Sequence, residues 1–253
     1  MNTPLLDVRA LSKRFSGVVA NDRVDLQIRA GEIHALIGPN GAGKTTLVSQ
    51  LAGQLASDSG SIAFDGVDIT ALSAHQRARS GLVRSFQITR LFKTFNVLDN
   101  VTLAIQAVSG SSLSAWRPVS AEPELFERAR AVLDELGLAD KPAFAVDQLS
   151  HGERRALEVG MTLASRPRLV LLDEPMAGMG PDESARMERL IERIRATSTV
   201  VLIEHDVDAV FRLADRVSVL VGGRIIASGD PASVRCDDAV IQAYLGDGPG
   251  QTP

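Results

Sequence analysis

Gly38-Pro39-Asn40-Gly41-Ala42-Gly43-Lys44-Thr45-Thr46 sets glycines, a lysine and hydroxyls in the spacing G-x-x-x-x-G-K-[ST]. Glycines let a loop curl with its amides pointing inward, and a helix starting behind it adds unpaired N–H groups and the positive end of a dipole. The product is a nest for phosphate. Lys44 can reach the β- and γ-phosphates of a nucleotide as a point charge, and the Thr45 hydroxyl can ligate Mg²⁺.

A second constellation is Leu169-Val170-Leu171-Leu172-Asp173-Glu174, four apolar residues and then two acids. A buried parallel strand reads this way, and its C-terminal edge is where ligands bind in such sheets. Asp173 is suited to hold Mg²⁺, directly or through water. Glu174 is suited to orient and polarise the water that attacks a γ-phosphate. The separation of Lys44 from Asp173 is too long for a simple phosphate-loop unit and requires an inserted segment. At the end of that segment lies Leu149-Ser150-His151-Gly152-Glu153. Ser150 and Glu153 satisfy S-x-x-E, a capping box opening an amphipathic helix, and a helix start with a serine hydroxyl and a glycine amide is also an anion site. The two readings are compatible.

These groups need elements to hold them. Apolar Ile33 to Ile37 predicts a strand entering the glycine loop, and Leu47, Val48 and Leu51 predict a helix leaving it. Leu5 to Ala10 and Val24 to Arg29 read as strands of an antiparallel edge, with Phe15 between them; a lone phenylalanine there is most often core. Ser61 to Phe64 ends at the Asp65-Gly66 turn, Ala74 to Arg79 is a short helix, and Leu82 to Phe86 is a strand closing on Gln87. Helical spacing returns from Asn96 to Val108 and from Glu124 to Leu136, with Gly137 as a stop. Between them 109–122, rich in serine, reads as a weakly ordered surface loop. From Leu149 the pattern alternates: helix to Ala164, strand Leu169 to Leu172, helix Pro181 to Arg195, strand Thr199 to Ile203. Alternation of this kind predicts a parallel sheet. Val217 to Val221 and Arg224 to Ala227, split by Gly222-Gly223, read as a hairpin. The Gly/Pro-rich tail, 246–253, is expected to fray.

The 253 residues can bury a full core, and a formal charge of −4 gives no global reason to expect nucleic acid or an anionic membrane surface. Cys236 is the only cysteine, which leaves no internal disulfide or cysteine metal cluster and suits a reducing compartment. No signal-peptide pattern opens the chain and no apolar run approaches the ~18 residues of a membrane helix, so a soluble chain that docks on membrane proteins is expected.

Taken together, Gly38 to Thr46, Gln87, Leu149 to Glu153, Asp173-Glu174 and His205 resemble the ABC ATPases in order and spacing over nearly the whole chain. The resemblance implies an α/β fold: a P-loop NTPase core of RecA-like type with a mixed parallel sheet and an N-terminal antiparallel β subdomain (1–86 and 149–253), and an inserted α-helical subdomain (87–148). It implies ATP hydrolysis with Mg²⁺. Two such domains would pair head to tail, each ATP lying between one phosphate loop and the partner's signature motif, so that Ser150, Gly152 and Glu153 act in trans. Gln87 matches the Q-loop, which touches metal or water and couples to the transmembrane partner. His205 matches the switch histidine that contacts the γ-phosphate, and Phe15 matches the aromatic that stacks on adenine, reversing the core expectation. His34, His75 and His151 keep ordinary structural readings. His151 and Glu153 replace the usual second glycine and glutamine of the signature, and Gly180 stands where many members carry a D-loop aspartate.

Arg84 to Phe92, the serine-rich insert, Leu149 to Arg155 and Ala177-Gly178-Met179 look like the ATP-binding subunits of branched-chain amino acid importers, with relatives serving urea, amides or aromatic acids looking alike. This implies two transmembrane permease subunits, a second ATP-binding subunit and, indirectly, a solute-binding protein, with the chain peripheral on the cytoplasmic face of the membrane. An exporter subunit, for instance for lipopolysaccharide, and a soluble P-loop phosphotransferase are the rival readings. A DNA-repair relative is disfavoured by the absence of long heptads and basic charge.

Overall fold

Alternating apolar residues build a hairpin first, β1 (Leu6–Phe15) against β2 (Val18–Ile28), in a computed structural model that describes residues 3–85, 91–108 and 123–245. Both strands run past the ends that alternation predicts. Ala10 (φ 47°) and Arg23 (φ 50°) sit at register shifts of the pair, and such bulges break the period of two while pairing continues. Phe15 is therefore at the hairpin tip and 46% exposed, not in the core.

The buried strand β3 (Ile33–Ile37) leads through the glycine loop into helix α1 (Lys44–Leu51). β4 (Ser59–Phe64) and β5 (Val67–Asp68) flank the Asp65-Gly66 turn. With β1 and β2 they make a sheet of their own, in the order β2-β1-β4-β5, and not an edge of the main sheet. Helix α2 (Ala74–Arg79) follows, closed at its start by a capping box from Ser73 and Gln76. Its buried Arg77 donates to the carbonyls of Gln50 and Leu51, which satisfies the last turn of α1 and fixes it against α2.

After β6 (Leu82–Arg84), helices α3 (Val97–Val108) and α4 (Pro123–Glu135) pack on each other and on α5 (His151–Leu163). The Asn96 carboxamide accepts from the Asp99 amide and starts α3, while the carbonyls of Pro142 and Phe144 take the Leu98 and Val97 amides. Then come β7 (Leu169–Asp173), α6 (Pro181–Arg195), β8 (Thr199–Ile203), α7 (Val207–Leu213), the hairpin β9 (Arg216–Val221) and β10 (Arg224–Gly229), and short helices α8 (Pro231–Arg235) and α9 (Asp238–Leu245).

The main sheet runs β10-β9-β3-β8-β7-β6, parallel except for the β9–β10 pair. Its register puts Leu36 and Asp173 beside the same residue, Ile203, so three strands end at one edge. One face packs the antiparallel sheet and α1 through Leu36, Leu47, Leu171 and Val201. The other packs α3 to α6 through Val170, Leu172, Leu157 and Ile191. Strands covered on both faces are apolar at nearly every position, which is why β7 and β8 read as continuous runs.

Gln87, the serine-rich stretch 109–122 and the tail 246–253 lie outside the described residues.

Candidate functional site

The loop after β3 is bent by glycines whose neighbours leave no room for a side chain. Gly43 has φ 102°, and a Cβ there would lie 2.2 Å from the Ala20 carbonyl; at Gly38 it would lie 2.0 Å from that of Leu220. Any other residue would force the loop open. The walls that crowd it also brace it. Asn21 Nδ2 donates to the Gly43 carbonyl at 3.3 Å, and the Gly223 amide to that of Ala42 at 3.0 Å. Asn40, Gly41 and Thr45 face outward, with Pro39 and Thr46 half-buried. Lys44, buried, arches across the loop and donates to the carbonyls of Gly38 (2.6 Å) and Pro39 (3.0 Å). Burial lowers its ammonium below the usual lysine range, with Glu174 and Asp173 opposing that shift.

The two acids at the end of β7 divide their roles by environment. Asp173 is 1% exposed and its Oδ2 lies 2.5 Å from the guanidinium of Arg84, whose other nitrogen donates to Ser49 Oγ and Gln54 Oε1 on the α1 side. Asp173 Oδ1 is buried and has no hydrogen-bond partner among the described residues. Glu174, half-buried, holds φ 50°, an unusual conformation for a side chain that large. Its amide bonds to Ile203 and its Oε1 lies 2.8 Å from Nε2 of His205, the residue two beyond the end of β8. Arg155, from α5, donates to the backbone carbonyls of both acids, at 2.8 and 3.1 Å. Buried Glu204 accepts from the Met176 amide, and its carboxyl is pushed up by burial.

An orphaned, buried carboxylate oxygen fits a hard cation, which prefers oxygen ligands. Among the described residues no group of three or more His, Cys, Asp or Glu side chains could hold a metal. A cation here would therefore rest on Asp173, the Thr45 hydroxyl and phosphate oxygens, the pattern expected of Mg²⁺ beside a nucleotide.

The structure thus brings Lys44, Asp173, Glu174 and His205 to one edge. The signature residues lie elsewhere. Ser150 caps α5, accepting from the Glu153 amide at 3.2 Å, while Glu153 reaches back to the Ser150 amide and pairs with Lys141 at 2.5 Å. Ser150 Oγ and the Gly152 amide both donate to Glu183 Oε1 from α6. Phe15 stands at its hairpin tip with the Lys13 ammonium 5.7 Å from the ring centre. β2, which follows it, reaches the loop at Ala20 and Asn21. His34 is buried between Glu32 and Ser218, and the exposed His151 lies 3.3 Å from the Ala177 carbonyl. A cleft of about 550 Å³ runs along Lys93, His151, Arg155, Asp173 and Glu174. A larger groove of about 660 Å³ between α4 and α6 touches none of the predicted site residues.

Sequence reading gave Arg84, Arg155, Glu183 and Glu204 no role at the site. An arginine inside the buried strand Leu82–Arg84 was the one available signal, since such a residue demands a partner.

The family described as "ABC transporter" matches residues 21–177, and that described as "Branched-chain amino acid ATP-binding cassette transporter" matches 224–249. Over 98% of its length the chain is 36% identical to the whole of the high-affinity branched-chain amino acid transport ATP-binding protein BraF of Pseudomonas aeruginosa. The figures are the same for LivG of Escherichia coli K12. The lipopolysaccharide export system ATP-binding protein LptB of Acidithiobacillus ferridurans is also 36% identical, over 96% of this chain and 97% of that one. Among solved structures, a nucleotide-free cassette from an ABC transporter superposes with TM-score 0.84 at 28% identity, and another cassette in its ADP conformation with 0.85 at 29%. Each covers 97% of this chain and is itself covered completely.

Proposed function

From the premise that this chain belongs to the ABC transporter family, as its ATP-hydrolysing cassette, we propose that it drives an importer of branched-chain amino acids or related small solutes such as urea, amides or aromatic acids. The observation that carries this is the single sheet edge where the phosphate loop, a buried acid with one free oxygen and the Glu174–His205 pair meet. The loop amides and Lys44 bind and orient the triphosphate. Glu174 orients the attacking water, and His205, fixed on the Glu174 carboxylate, stands beside the γ-phosphate. Mg²⁺ would be held by Thr45, Asp173 and Gln87, and supplies charge neutralisation across the phosphates. Phe15 takes the adenine face, being an exposed aromatic on the strand pair that braces the loop.

The second half of each site comes from another ATP-binding subunit through Ser150, Gly152 and Glu153. On this reading 87–148 is the helical insert, and Gln87 couples the nucleotide site to the transmembrane partner. Two permease subunits and a solute-binding protein complete the assembly, with this chain peripheral on the cytoplasmic side; no helix among the described residues is long and apolar enough to cross a membrane. The similarity to an export ATPase supports the rival direction, but the C-terminal match at 224–249 is to the branched-chain amino acid family and favours import.

Purified protein should hydrolyse ATP, and Glu174→Gln and Lys44→Ala should each abolish turnover. ATP should drive Glu174→Gln into dimers measurable by light scattering. With its permeases in vesicles the chain should support ATP-dependent leucine uptake. Turnover undiminished in both variants, or vesicles that take up no member of this solute class, would overturn the proposal.

A further inference from the structure

Ser150 Oγ and the Gly152 amide converge on one anionic oxygen. Glu183 Oε1 lies 2.9 Å from the hydroxyl and 3.1 Å from the amide, and these are the two donors assigned above to a partner's triphosphate. A carboxylate oxygen and a phosphate oxygen ask the same thing of a donor pair, and the pair cannot serve both. The fold supplies this carboxylate locally. Gly180 caps α6 without a side chain, Pro181 occupies its first position, and the turn then points Glu183 at the start of α5. The fit is close: a Cβ on Gly152 would meet Glu183 Oε1 at 2.8 Å. The Ser150 hydroxyl and Gly152 amide hold the Glu183 carboxyl below the usual range, so it stays charged at neutral pH. The side chain is only half-buried, so it is open to solvent on one side.

We propose that Glu183 is an internal stand-in for a phosphate: it occupies the signature's anion site in the open subunit and must leave before that site closes on a partner's ATP. Its charge therefore sets the ATP concentration at which two subunits close. This rests on the reading that Ser150 and Gly152 act in trans, and it assigns Glu183 no contact with the nucleotide on its own phosphate loop. Glutamine at this position keeps the shape but gives up the charge-assisted bonds, which are roughly twice as strong as neutral ones. Alanine frees both donors.

The test uses the full chain in the Glu174→Gln background, where dimers persist, with light scattering titrated by Mg-ATP. Adding Glu183→Ala or Glu183→Gln should lower the half-maximal ATP concentration, on the order of tenfold for alanine, equivalent to ~1.4 kcal/mol. Affinity of the monomer for a fluorescent ATP analogue should not move, because the phosphate loop is untouched. Failure of Glu174→Gln alone to dimerise would sink the underlying reading. Dimerisation of Glu174→Gln with no shift, or a shift to higher ATP, in folded Glu183 variants would sink this inference and leave that reading standing. Thermal melts establish the folding, and the glutamine variant, nearly isosteric, keeps the comparison usable if alanine loosens α6.

Discussion

Replacing Arg84 with methionine keeps most of the volume of its stem and removes its charge from a pair whose side chains are 8% and 1% exposed. Asp173 already has one buried oxygen without a partner among the described residues, and the substitution would strip the other. Removing one member of a buried ion pair costs about 3–5 kcal/mol, because the charge left behind has lost both water and counter-ion. At ~2–4 °C per kcal/mol for a chain of this size, the nucleotide-free protein should melt about 6–20 °C lower. Converting Asp173 to asparagine as well removes the stranded charge, so the double variant should be more stable than Arg84→Met alone. Recovery should fall short of wild type by about 1–2 kcal/mol, since Ser49 and Gln54 have still lost their donor. The assay is a double-mutant cycle of denaturant or thermal unfolding without nucleotide or metal. A melting point for Arg84→Met within a degree or two of wild type, or a double variant less stable than the single one, would refute the assignment of Arg84 as the counter-ion of Asp173.

Gly43→Ala should cost about 1–3 kcal/mol of backbone strain from the left-handed conformation alone, and its Cβ, 2.2 Å from the Ala20 carbonyl, must displace β2 from the loop. Nucleotide affinity measured by a fluorescent analogue should collapse, and affinity retained within threefold would count against the braced-loop geometry. Glu204 carries a carboxyl raised by burial and by Glu174, against the Met176 and His205 amides that favour its charged form. A raised acid is easier to protonate in the fold than in the unfolded chain, so its contribution to stability is lost as pH climbs from the ordinary carboxylate range through the raised value. Glu204→Gln keeps an acceptor for the Met176 amide, so its melting point should gain on wild type across that interval; a difference constant from about pH 4 to pH 8 would refute this.

What the sequence made legible is what acts locally. The phosphate loop, the limits of Ala74–Arg79, Pro181–Arg195 and Thr199–Ile203, and the capping box at Ser150 follow from rules spanning a few residues, and each has the bounds that those rules predict. β1 did not end where alternation stopped, because a bulge at Ala10 hides the continuing pair. Helices α7 and α8 escaped notice because, unlike α2 with its reciprocal Ser73–Gln76 box, their starts depend on single acceptors, Asp206 and Asp230. The long-range partners were invisible for a different reason. Arg84 meets Asp173 across 89 positions, and Glu183 meets Ser150 across 33, through sheet register and helix packing that no local pattern encodes.

Charge at the end of β7 leaves one oxygen of Asp173 without a donor among the described residues. Glu174 is held by His205, Glu153 by Lys141, and Glu183 by the two donors at the start of α5. Asp173 shares one oxygen with Arg84, and its other oxygen, sealed from water, has no partner among the described residues. Glu158 Oε1, on α5, is likewise buried without a partner among the described residues, and at the end of β7 the demand for positive charge falls on the Asp173 oxygen, to which Lys44, tied to its own loop carbonyls, is not bonded. A triphosphate without a divalent cation would add negative charge beside this oxygen and gain nothing from it. One arriving with Mg²⁺ would satisfy the phosphates and the carboxylate together. On the proposed reading, a preference for metal-loaded nucleotide would follow from the packing of β6 against β7, which places Arg84 to cover one oxygen of Asp173 and leave the other.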